Sequence, residues 1–498
     1  MIDFGLLHLL MAFVGVVVGI VFGALPGMTA TMAIAVFLPL TYAYDLHVSL
    51  FLLLGLYVGG ISGGLVPAIL VNIPGTPSSI CTGFDGYPMA KRGEAVRALR
   101  IGITASLFGG LFSLLLLFLF TPPLARVALS FSSVEKFLII LFALSIIAAL
   151  SKGNMVTGVF AGFLGVFFSL IGQFADNNRM RMVPDFLSVE LRNGFQLLPV
   201  LIGLFALVQI LQEAEGGMRD DAIGADLSRE IRGFRFSDFK GQVVNLFRSA
   251  FIGTFVGILP GVGGSAASLL SYSQAKNFSG RPEKYGTGCV DGLVASEAAN
   301  NGLTGGALIP LLSLGIPGDS TTAVLVGAFM LQGVQVGPLF ITNNLDLWHV
   351  ILSALLLCNF LMFFVMFYPI KYIASVIKLP KYRIFPVIIL LCVIGAYSSR
   401  NGNMFDVWTM LFFGLLGYFF VKIKLPIVPF LIGFILGKDL EKYFVDSIKG
   451  VGGSLSVFFT RPMGWVIWGL IVASIAWAVY DSKREARRAA AGNGGAQA

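Results

Sequence analysis

The stretch Gly23-Ala-Leu-Pro-Gly27 interrupts an apolar segment, and Gly257-Ile-Leu-Pro-Gly261 repeats its pattern in the second half of the chain. Each copy is followed by a second break, Ile73-Pro-Gly75 or Ile316-Pro-Gly318. Proline ends a helix, and glycine permits the turn that follows. Unwound backbone at corresponding places in two halves is the pattern that best indicates a secondary transporter's substrate site. We therefore predict a duplicated chain with paired broken helices.

Composition places the chain in a membrane. Of its 498 residues, 56% are hydrophobic and 12% are charged, and the mean hydropathy is +0.87, whereas soluble proteins carry about 25% charged residues. Several apolar runs approach or reach the roughly 17 to 25 residues that a helix needs to cross a bilayer. These runs include 101–120, 137–150, 155–171, 195–211, 348–370 and 464–479. We predict an all-α polytopic membrane protein with about 10–12 transmembrane segments.

The duplicated order extends beyond the breaks. Gly60-Ile-Ser-Gly-Gly64 aligns with Gly302-Leu-Thr-Gly-Gly306, and Pro67 precedes its break by the same interval as Pro310. We divide the chain into a first transmembrane repeat at 1–212, a polar linker at 213–243, a second repeat at 244–481 and a basic, disordered tail at 482–498. Inversion of the two homologous repeats requires an odd number of crossings between them. The sequence leaves that count open, and transporter precedent favours inversion.

The formal net charge of +8 lies in short loops and at the chain ends. There, basic residues set the orientation of a membrane protein, and no nucleic-acid partner is expected. The tail Lys483-Arg-Glu-Ala-Arg-Arg488 directly follows the last apolar run and predicts a cytoplasmic C-terminus. The first apolar stretch, Leu6 to Leu25, has no basic leader or cleavage site, so we expect it to remain as the first helix. The four cysteines have no paired spacing, which argues against a disulfide framework or a metal knuckle.

Small hydroxylated residues follow every break. They are Thr29 and Thr31; Thr76, Ser78 and Ser79; Ser265 and Ser268; and Ser320, Thr321 and Thr322. At a helix start, such residues satisfy free N–H groups or point their hydroxyls at a ligand. Converging helix N-termini add partial positive charge and N–H donors that suit a carboxylate. A single break is equally typical of an ordinary kink or cap, but four breaks in a duplicated order favour a binding site.

Other polar residues near the breaks suit a cation. They are Asn72, Ser296, Glu297, Asn300, Asn301 and Asp319. Side-chain oxygens and carbonyls freed at half-helix ends form the oxygen shell that Na⁺ needs. The ion-binding candidates are Pro26, Pro260, Asn300, Asn301 and Asp319. Asp319 fits a helix N-cap as well as an ion or proton site, and Glu297 fits a buried structural hydrogen bond.

Fixed positive charge is missing from the breaks themselves. The nearest basic residues, Lys91, Arg92, Lys276 and Arg281, lie in flanking loops. A bound anion would therefore depend on helix dipoles and on co-bound cations. Because several carboxylate charges at membrane depth are costly without compensation, we expect coupling to Na⁺ or H⁺ and no other cofactor.

Five motifs, taken together and in order, resemble the large membrane subunit of the tripartite tricarboxylate transporters. They are Gly23-Ala-Leu-Pro-Gly-Met-Thr-Ala-Thr31, Asn72-Ile-Pro-Gly-Thr-Pro-Ser-Ser79, Gly257-Ile-Leu-Pro-Gly-Val-Gly-Gly-Ser265, Ser296-Glu-Ala-Ala-Asn-Asn301 and Gly315-Ile-Pro-Gly-Asp-Ser320. The resemblance covers nearly the whole chain, from Leu6 to about Tyr480. Each motif is weak alone, and their order makes the set specific.

That resemblance implies a multi-pass subunit of the bacterial inner membrane. Its expected partners are a small transmembrane subunit and a periplasmic solute-binding protein that delivers the substrate. The expected function is cation-coupled import, driven by Na⁺, of citrate-like di- or tricarboxylates by alternating access between two inverted repeats. Carried over motif by motif, the substrate-binding candidates are Thr29, Asn72, Thr76, Ser78, Ser265, Ser320 and Thr321.

Two other functions stay open at this point. A stand-alone organic-acid permease or exporter would have the same breaks and no receptor. An intramembrane enzyme would use Asp319, but the sequence offers no second acid to face it and share a proton, so no catalytic residue is predicted. The phosphate-binding motif Gly-x-x-x-x-Gly-Lys-Ser/Thr is absent from the sequence, which argues against ATP-driven import by this chain alone.

Overall fold

The computed structural model describes residues 5–149, 155–174, 179–216, 233–376, 381–400, 402–449 and 451–476. Nearly all regular structure in these ranges is helical. The described strands form one short antiparallel pair, β1 (Gly172–Gln173) with β2 (Met180–Arg181). The prediction of an all-α polytopic membrane protein is confirmed. The predicted tail at 482–498 and most of the predicted linker lie outside the described residues.

In the first half, the described residues form ten α-helices. They are α1 (Leu6–Ala24), α2 (Ala30–Phe37), α3 (Leu46–Gly63), α4 (Leu65–Val71), α5 (Ile80–Lys91), α6 (Ala95–Leu129), α7 (Ser133–Ala149), α8 (Met155–Ser169), α9 (Leu197–Leu201) and α10 (Val208–Glu215). A π-helical segment, Ile202–Leu207, joins α9 to α10. Short 3₁₀ turns lie at Leu38–Ala43, Pro77–Ser79 and Asp185–Leu187.

The second half contains eleven further helices within the described ranges. They are α11 (Val243–Ile258), α12 (Gly263–Asn277), α13 (Val290–Leu314), α14 (Ser320–Leu331), α15 (Phe340–Asn343), α16 (Leu345–Phe367), α17 (Ile370–Ser375), α18 (Lys381–Ser398), α19 (Met404–Lys422), α20 (Ile427–Lys449) and α21 (Pro462–Ala476). Short 3₁₀ turns lie at Phe236–Phe239, Pro282–Lys284 and Leu455–Phe459.

Six segments in the described ranges are long and apolar enough to cross a bilayer. They are Leu6–Ala24, Leu46–Val71, Ala95–Leu129, Leu197–Glu215, Leu345–Phe367 and Met404–Lys422. Six shorter apolar helices accompany them. A total of 10–12 crossings requires several of the shorter helices to cross as well, so that number stays a prediction.

Both repeats place a break directly after their first helix. α1 ends at Ala24 and α11 at Ile258, because proline follows two residues later in each case. The next glycines, Gly27 and Gly261, have φ angles of 86° and 78°. Only glycine adopts this left-handed conformation without steric cost, which explains why the sequence has Pro-Gly at both positions.

Close backbone packing then joins each first break to the second break of the same repeat. A Cβ added at Gly75 would lie 2.0 Å from the carbonyl oxygen of Gly23, and one added at Gly318 would lie 2.4 Å from that of Gly257. These distances leave no room for a side chain. Each repeat therefore has the same internal contact between equivalent glycines. The sequence duplication thus extends to the tertiary structure.

The helices before the second breaks also end alike. Asn72 follows α4 in the left-handed conformation, with φ 57°, and Gly315 follows α13 with φ 77°. The next residue donates its N–H to the proline carbonyl six residues back, Ile73 to Pro67 and Ile316 to Pro310. Asparagine is among the few residues that tolerate this conformation, so Asn72 acts as a helix C-cap.

Candidate functional site

A cavity of about 330 Å³ lies where the four helix starts after the breaks come together. Its polar lining consists of Thr29, Thr31, Thr76, Ser78, Ser265, Asp319, Ser320 and Thr321, together with Gln209 and Gln212. Apolar side chains complete the walls, among them Ile61, Leu204, Phe205, Leu303, Ile427 and Val428. Ligand sites span about 300–1,000 Å³, so this volume suits a small organic molecule.

One pair of helix starts meets across the two repeats. α2 begins after the first break of repeat one, and α14 begins after the second break of repeat two. The Oγ1 atoms of Thr31 and Thr321 lie 2.8 Å apart, and Thr31 Oγ1 lies 3.2 Å from Ser320 Oγ. These hydroxyls are hydrogen-bonded although they are 289 and 290 positions apart in the chain.

The other pair combines the remaining two breaks, again one from each repeat. The turn Pro77–Ser79, which follows the second break of repeat one, packs against the start of α12, which follows the first break of repeat two. A Cβ at Gly264 would lie 2.6 Å from Ser78 Cβ. The four helix starts thus pair in a two-fold pattern, each first break with the second break of the other repeat.

Three of the four helix starts are capped by side chains, and α12, which follows Val262, has no side-chain cap. Thr29 Oγ1 accepts the N–H of Met32 at 3.1 Å. The backbone N–H of Thr76 donates to Ser79 Oγ at 3.2 Å, and that of Asp319 donates to Thr322 Oγ1 at 2.9 Å. Equivalent residues at the two second breaks therefore form the same capping arrangement.

Six of the seven predicted substrate-binding residues line the cavity: Thr29, Thr76, Ser78, Ser265, Ser320 and Thr321. The seventh, Asn72, is exposed at the end of α4 and is not part of the lining. Asn72 stands next to the second break because it is the C-cap of α4. The structure brings the six residues together, and their contact with substrate stays a prediction.

The five predicted ion-binding residues are placed differently from one another. Asp319 lines the cavity and caps α14: its Oδ1 accepts the N–H of Thr322 at 2.7 Å, and its Oδ2 accepts the hydroxyl of Tyr57 at 3.2 Å. Pro26 and Pro260 lie at the breaks outside the lining. They terminate helices, and the next residue, Gly261, contributes to the cavity instead of Pro260.

The two neighbouring asparagines differ in their hydrogen bonds. Asn301 Oδ1 accepts the hydroxyl of Ser62 at 2.7 Å, which joins α13 to α3. Asn300 is wholly buried, and both atoms of its amide group lack a hydrogen-bond partner among the described residues. Its Oδ1 lies 3.4 Å from the position of a Cβ on Gly264, in the first turn of α12. A buried amide without partners is costly, so Asn300 is suited to bind an ion or a water molecule.

Glu297 forms a buried hydrogen-bonded junction behind the cavity. It is fully buried on α13 and accepts hydrogen bonds from the hydroxyl groups of Thr82 on α5 and Ser106, at 2.8 Å, on α6. This arrangement agrees with the structural hydrogen bond predicted for it. Glu297 is not part of the cavity lining.

The cavity carries little formal charge. Among the described residues that line it, none is basic, and Asp319 is the only acid. Positive potential comes from the dipoles and first-turn N–H groups of the helix starts, the features that let helix N-termini bind anions. The described residues also contain no cluster of three His, Cys, Asp or Glu side chains that could hold a metal ion. A cation here would be bound by neutral oxygens and one carboxylate.

Gln209 and Gln212 are cavity residues that the sequence analysis missed. They lie on α10, directly after the π-helical segment, and no proline–glycine break is near them. π-Helical turns occur frequently at functional sites, but no sequence pattern marks this one. A glutamine pair spaced three residues apart was the only available signal.

Comparison with known proteins decides the family. The tripartite tricarboxylate transporter TctA family matches residues 9–432. The chain belongs to this family. The match includes both repeats' breaks and every polar residue of the cavity lining, and it confirms the resemblance carried by the five motifs.

Curated relatives of this TctA-family chain come from Agrobacterium vitis. A protein described as an uncharacterized 52.8 kDa protein in the TAR-I ttuC′ 3′ region is 33% identical over 486 residues, which covers 96% of this chain and 95% of the relative. An uncharacterized protein in the TAR-II ttuC′ 3′ region is 35% identical over 235 residues, 47% of this chain and 97% of the relative. No solved structure matches.

Membership in the TctA family establishes the coarse function. The chain is a subunit of a tripartite tricarboxylate transporter, a multi-pass membrane protein that works with partner subunits, which in such systems include a periplasmic binding protein. The cavity and its helix starts are built by the two repeats together.

Proposed function

We propose that this chain is the translocating subunit of an importer that moves citrate-like di- or tricarboxylates together with Na⁺. Its partners are a small transmembrane subunit and a periplasmic solute-binding protein. The observation that carries the proposal is the cavity of about 330 Å³ at which helix starts from both repeats meet. The N–H groups and dipoles of helix starts bind carboxylate oxygens there without a basic side chain.

Cation coupling follows from the charge balance of the cavity. A carboxylate substrate would join Asp319, and no basic residue in the described lining offsets either charge. Uncompensated charge away from water costs several kcal/mol per ion. A co-bound Na⁺ would remove that cost, and an oxygen ligand for it is offered by Asp319 in the cavity lining or by Asn300 beside the first turn of α12.

Alternating access is supported by the reciprocal pairing of breaks. Because each pair contains one break from each repeat, motion of one repeat against the other would open one pair while the other stays closed. The two pairs differ here: Thr31 is hydrogen-bonded to Thr321, while no hydrogen bond joins the equivalent Ser265 and Ser78 among the described contacts. This difference, together with transporter precedent, favours inverted repeats.

Contacts of α21 support a cytoplasmic C-terminus in the bacterial inner membrane. Arg461 pairs with Glu135 at 3.7 Å, and Ser474 lies 3.0 Å from Ser145, so α21 runs parallel to α7. Since α7 begins just after the end of α6, the end of α21 lies at the membrane face from which α6 starts. That face also carries Arg92, which donates to the loop before α13. Basic residues at both places fit the positive-inside rule.

Reconstituted transport tests the proposal. Proteoliposomes that contain this chain and its small subunit, with loaded receptor outside, should accumulate a tricarboxylate or dicarboxylate when Na⁺ is higher outside. Uptake that is independent of the Na⁺ gradient would overturn the coupling. A wild-type complex that moves no carboxylate under any ion gradient would overturn the proposed substrate class.

Variants of the helix starts localise the site. Ser78→Ala and Thr321→Ala should each reduce uptake about tenfold or more, since each removes a hydroxyl from the lining, and hydrogen bonds to charged groups contribute about 1.5–3 kcal/mol. Lys284→Ala, in a short turn outside the cavity, is the control and should transport normally. If all three substitutions changed uptake equally, the breaks would be structural kinks without a role in substrate binding.

A further inference from the structure

The walls of the cavity differ from each other in chemistry, although its helix starts come from equivalent motifs. α10 contributes Gln209 and Gln212 to one part of the wall, and the start of α20 contributes Ile427 and Val428. Gln209 and Gln212 are three residues apart, so they lie on one face of α10. The duplicated breaks therefore supply the helix starts, and α10 and α20 supply wall residues of different chemistry.

Hydrogen-bonding capacity makes the two glutamines distinctive. Each amide group has two N–H donors and one acceptor oxygen, and these are the only side-chain nitrogens in the described lining. Several hydroxyls of the lining already bond within the protein, as Thr31 does with Thr321 and Thr76 with Ser78. By contrast, no hydrogen bond of the side-chain amide of Gln209 or Gln212 is found among the described contacts.

The segment before α10 sets the direction of this face. Residues Ile202–Leu207 form a π-helix, which has wider turns than an α-helix and so rotates the face of the helix that follows. Leu204 and Phe205 of this segment line the cavity together with Val208. Gln209 and Gln212 are half-buried and follow these apolar residues along the cavity wall, and the Nε2 atom of Gln209 lies 3.3 Å from the position of a Cβ on Gly27, at the first break.

We infer that Gln209 and Gln212 bind the second carboxylate of the substrate and determine how far it must lie from the first. The inference rests on the proposed carboxylate transport. In it, the helix starts hold the first carboxylate, the amide groups of α10 hold the second, and Ile427 and Val428 contact the carbon chain. The site therefore selects small organic anions with at least two carboxylates at a defined spacing.

Direct binding to the membrane complex tests this inference, because a receptor would impose its own selectivity. The purified complex of this chain with its small subunit, without receptor, is titrated in Na⁺ with acetate, succinate and glutarate, and stabilisation against heat gives each apparent Kd. Gln209→Met and Gln212→Met keep the side-chain length and remove the amide group. Each should weaken binding of the preferred dicarboxylate about tenfold to a hundredfold and leave the weak binding of acetate within about twofold.

Two further variants complete the test. Gln274→Met is the matched control, since Gln274 is half-buried on α12 outside the cavity lining. Gln209→Asn shortens the side chain by one methylene and moves the amide away from the ligand. It should shift the binding preference from succinate toward the longer glutarate. This variant keeps the amide group and therefore still tests the inference if a Met variant does not fold. Equal weakening of acetate and the dicarboxylates, or unchanged selectivity in every variant, would overturn the assignment. A wild-type complex that binds no carboxylate would instead overturn the proposed function.

Discussion

Replacing Asp319 by asparagine separates the two roles that this residue can have. Asp319 is 6% exposed, its Oδ1 accepts the N–H of Thr322 at 2.7 Å, and its Oδ2 accepts the hydroxyl of Tyr57 at 3.2 Å. Asparagine keeps an acceptor for the cap and can bond to the tyrosine hydroxyl through its amide. Asp319→Asn therefore removes the charge and preserves the local hydrogen bonds.

The structure allows the size of each effect to be worked out. Loss of an N-cap costs about 1 kcal/mol, and an unpaired buried hydroxyl costs about 1–3 kcal/mol. Asp319→Ala should therefore destabilise the fold by roughly 2–4 kcal/mol, and Asp319→Asn by less than about 1 kcal/mol. For a cation about 4 Å away, the lost attraction is up to about 4 kcal/mol at an effective dielectric constant of about 20, at most about a thousandfold in cation affinity.

Two assays on the same preparations read out the two effects. Thermal unfolding in detergent should show Asp319→Asn close to wild type and Asp319→Ala clearly less stable. Uptake into proteoliposomes at increasing Na⁺ should show that Asp319→Asn requires at least about tenfold more Na⁺ for half-maximal rate, within the range allowed by the lost attraction. Asp346→Asn, at an exposed acid in the first turn of α16, is the control and should change neither quantity.

An Asp319→Asn variant that keeps the wild-type Na⁺ dependence would refute a cation-binding role for the Asp319 carboxylate. In that case the carboxylate would serve only as a helix cap, a role that Thr76 fills without charge at the equivalent position of the first repeat. The cation site would then have to be built from neutral oxygens such as that of Asn300.

Two further predictions concern the close packing at the breaks and the hydrogen bonds of the loop before α13. Gly75→Ala and Gly318→Ala would each put a Cβ within 2.0–2.4 Å of a backbone oxygen of α1 or α11. Each substitution should destabilise the fold by about 1–3 kcal/mol or more and lower the yield of monodisperse protein. Gly469→Ala is the control and should not, because no atom lies within 4 Å of its new Cβ. Asp85→Asn should loosen the loop before α13, because Asp85 accepts three N–H groups of that loop at 2.8–2.9 Å and the hydroxyl of Tyr272. Faster hydrogen exchange of that loop, with the rest of α13 unchanged, checks this outcome, and unaltered exchange would contradict it.

Local chemistry made much of the candidate site predictable. A proline ends a helix wherever it stands, and the hydroxyl residues after Pro-Gly cap the helix that begins next. Six of the seven substrate-binding candidates carried over from the family motifs are hydroxyl residues of this kind, and all six line one cavity. Asn72 was carried over with the same motifs, although its position before the proline makes it the end of one helix instead of the start of another.

The residues that could not be predicted depend on contacts between distant segments. Gln209 and Gln212 reach the cavity because a π-helical segment turns α10, and nothing in their neighbourhood in the sequence indicates it. Asn300 and Asn301 are adjacent, yet Ser62 satisfies only Asn301 and leaves Asn300 without a partner among the described residues. The difference arises from how α3 packs on α13.

The sequence by itself determined the membrane environment, the four breaks, their duplication and the family. Apolar composition, helix termination and motif order are properties of residues that are adjacent in the chain, so they can be read without knowing the fold. Only the tertiary structure decided which breaks meet. Helix N-termini can combine their N–H groups and dipoles into one anion site only when packing brings them together, and here that packing joins Thr31 to Thr321 across 290 positions of the chain.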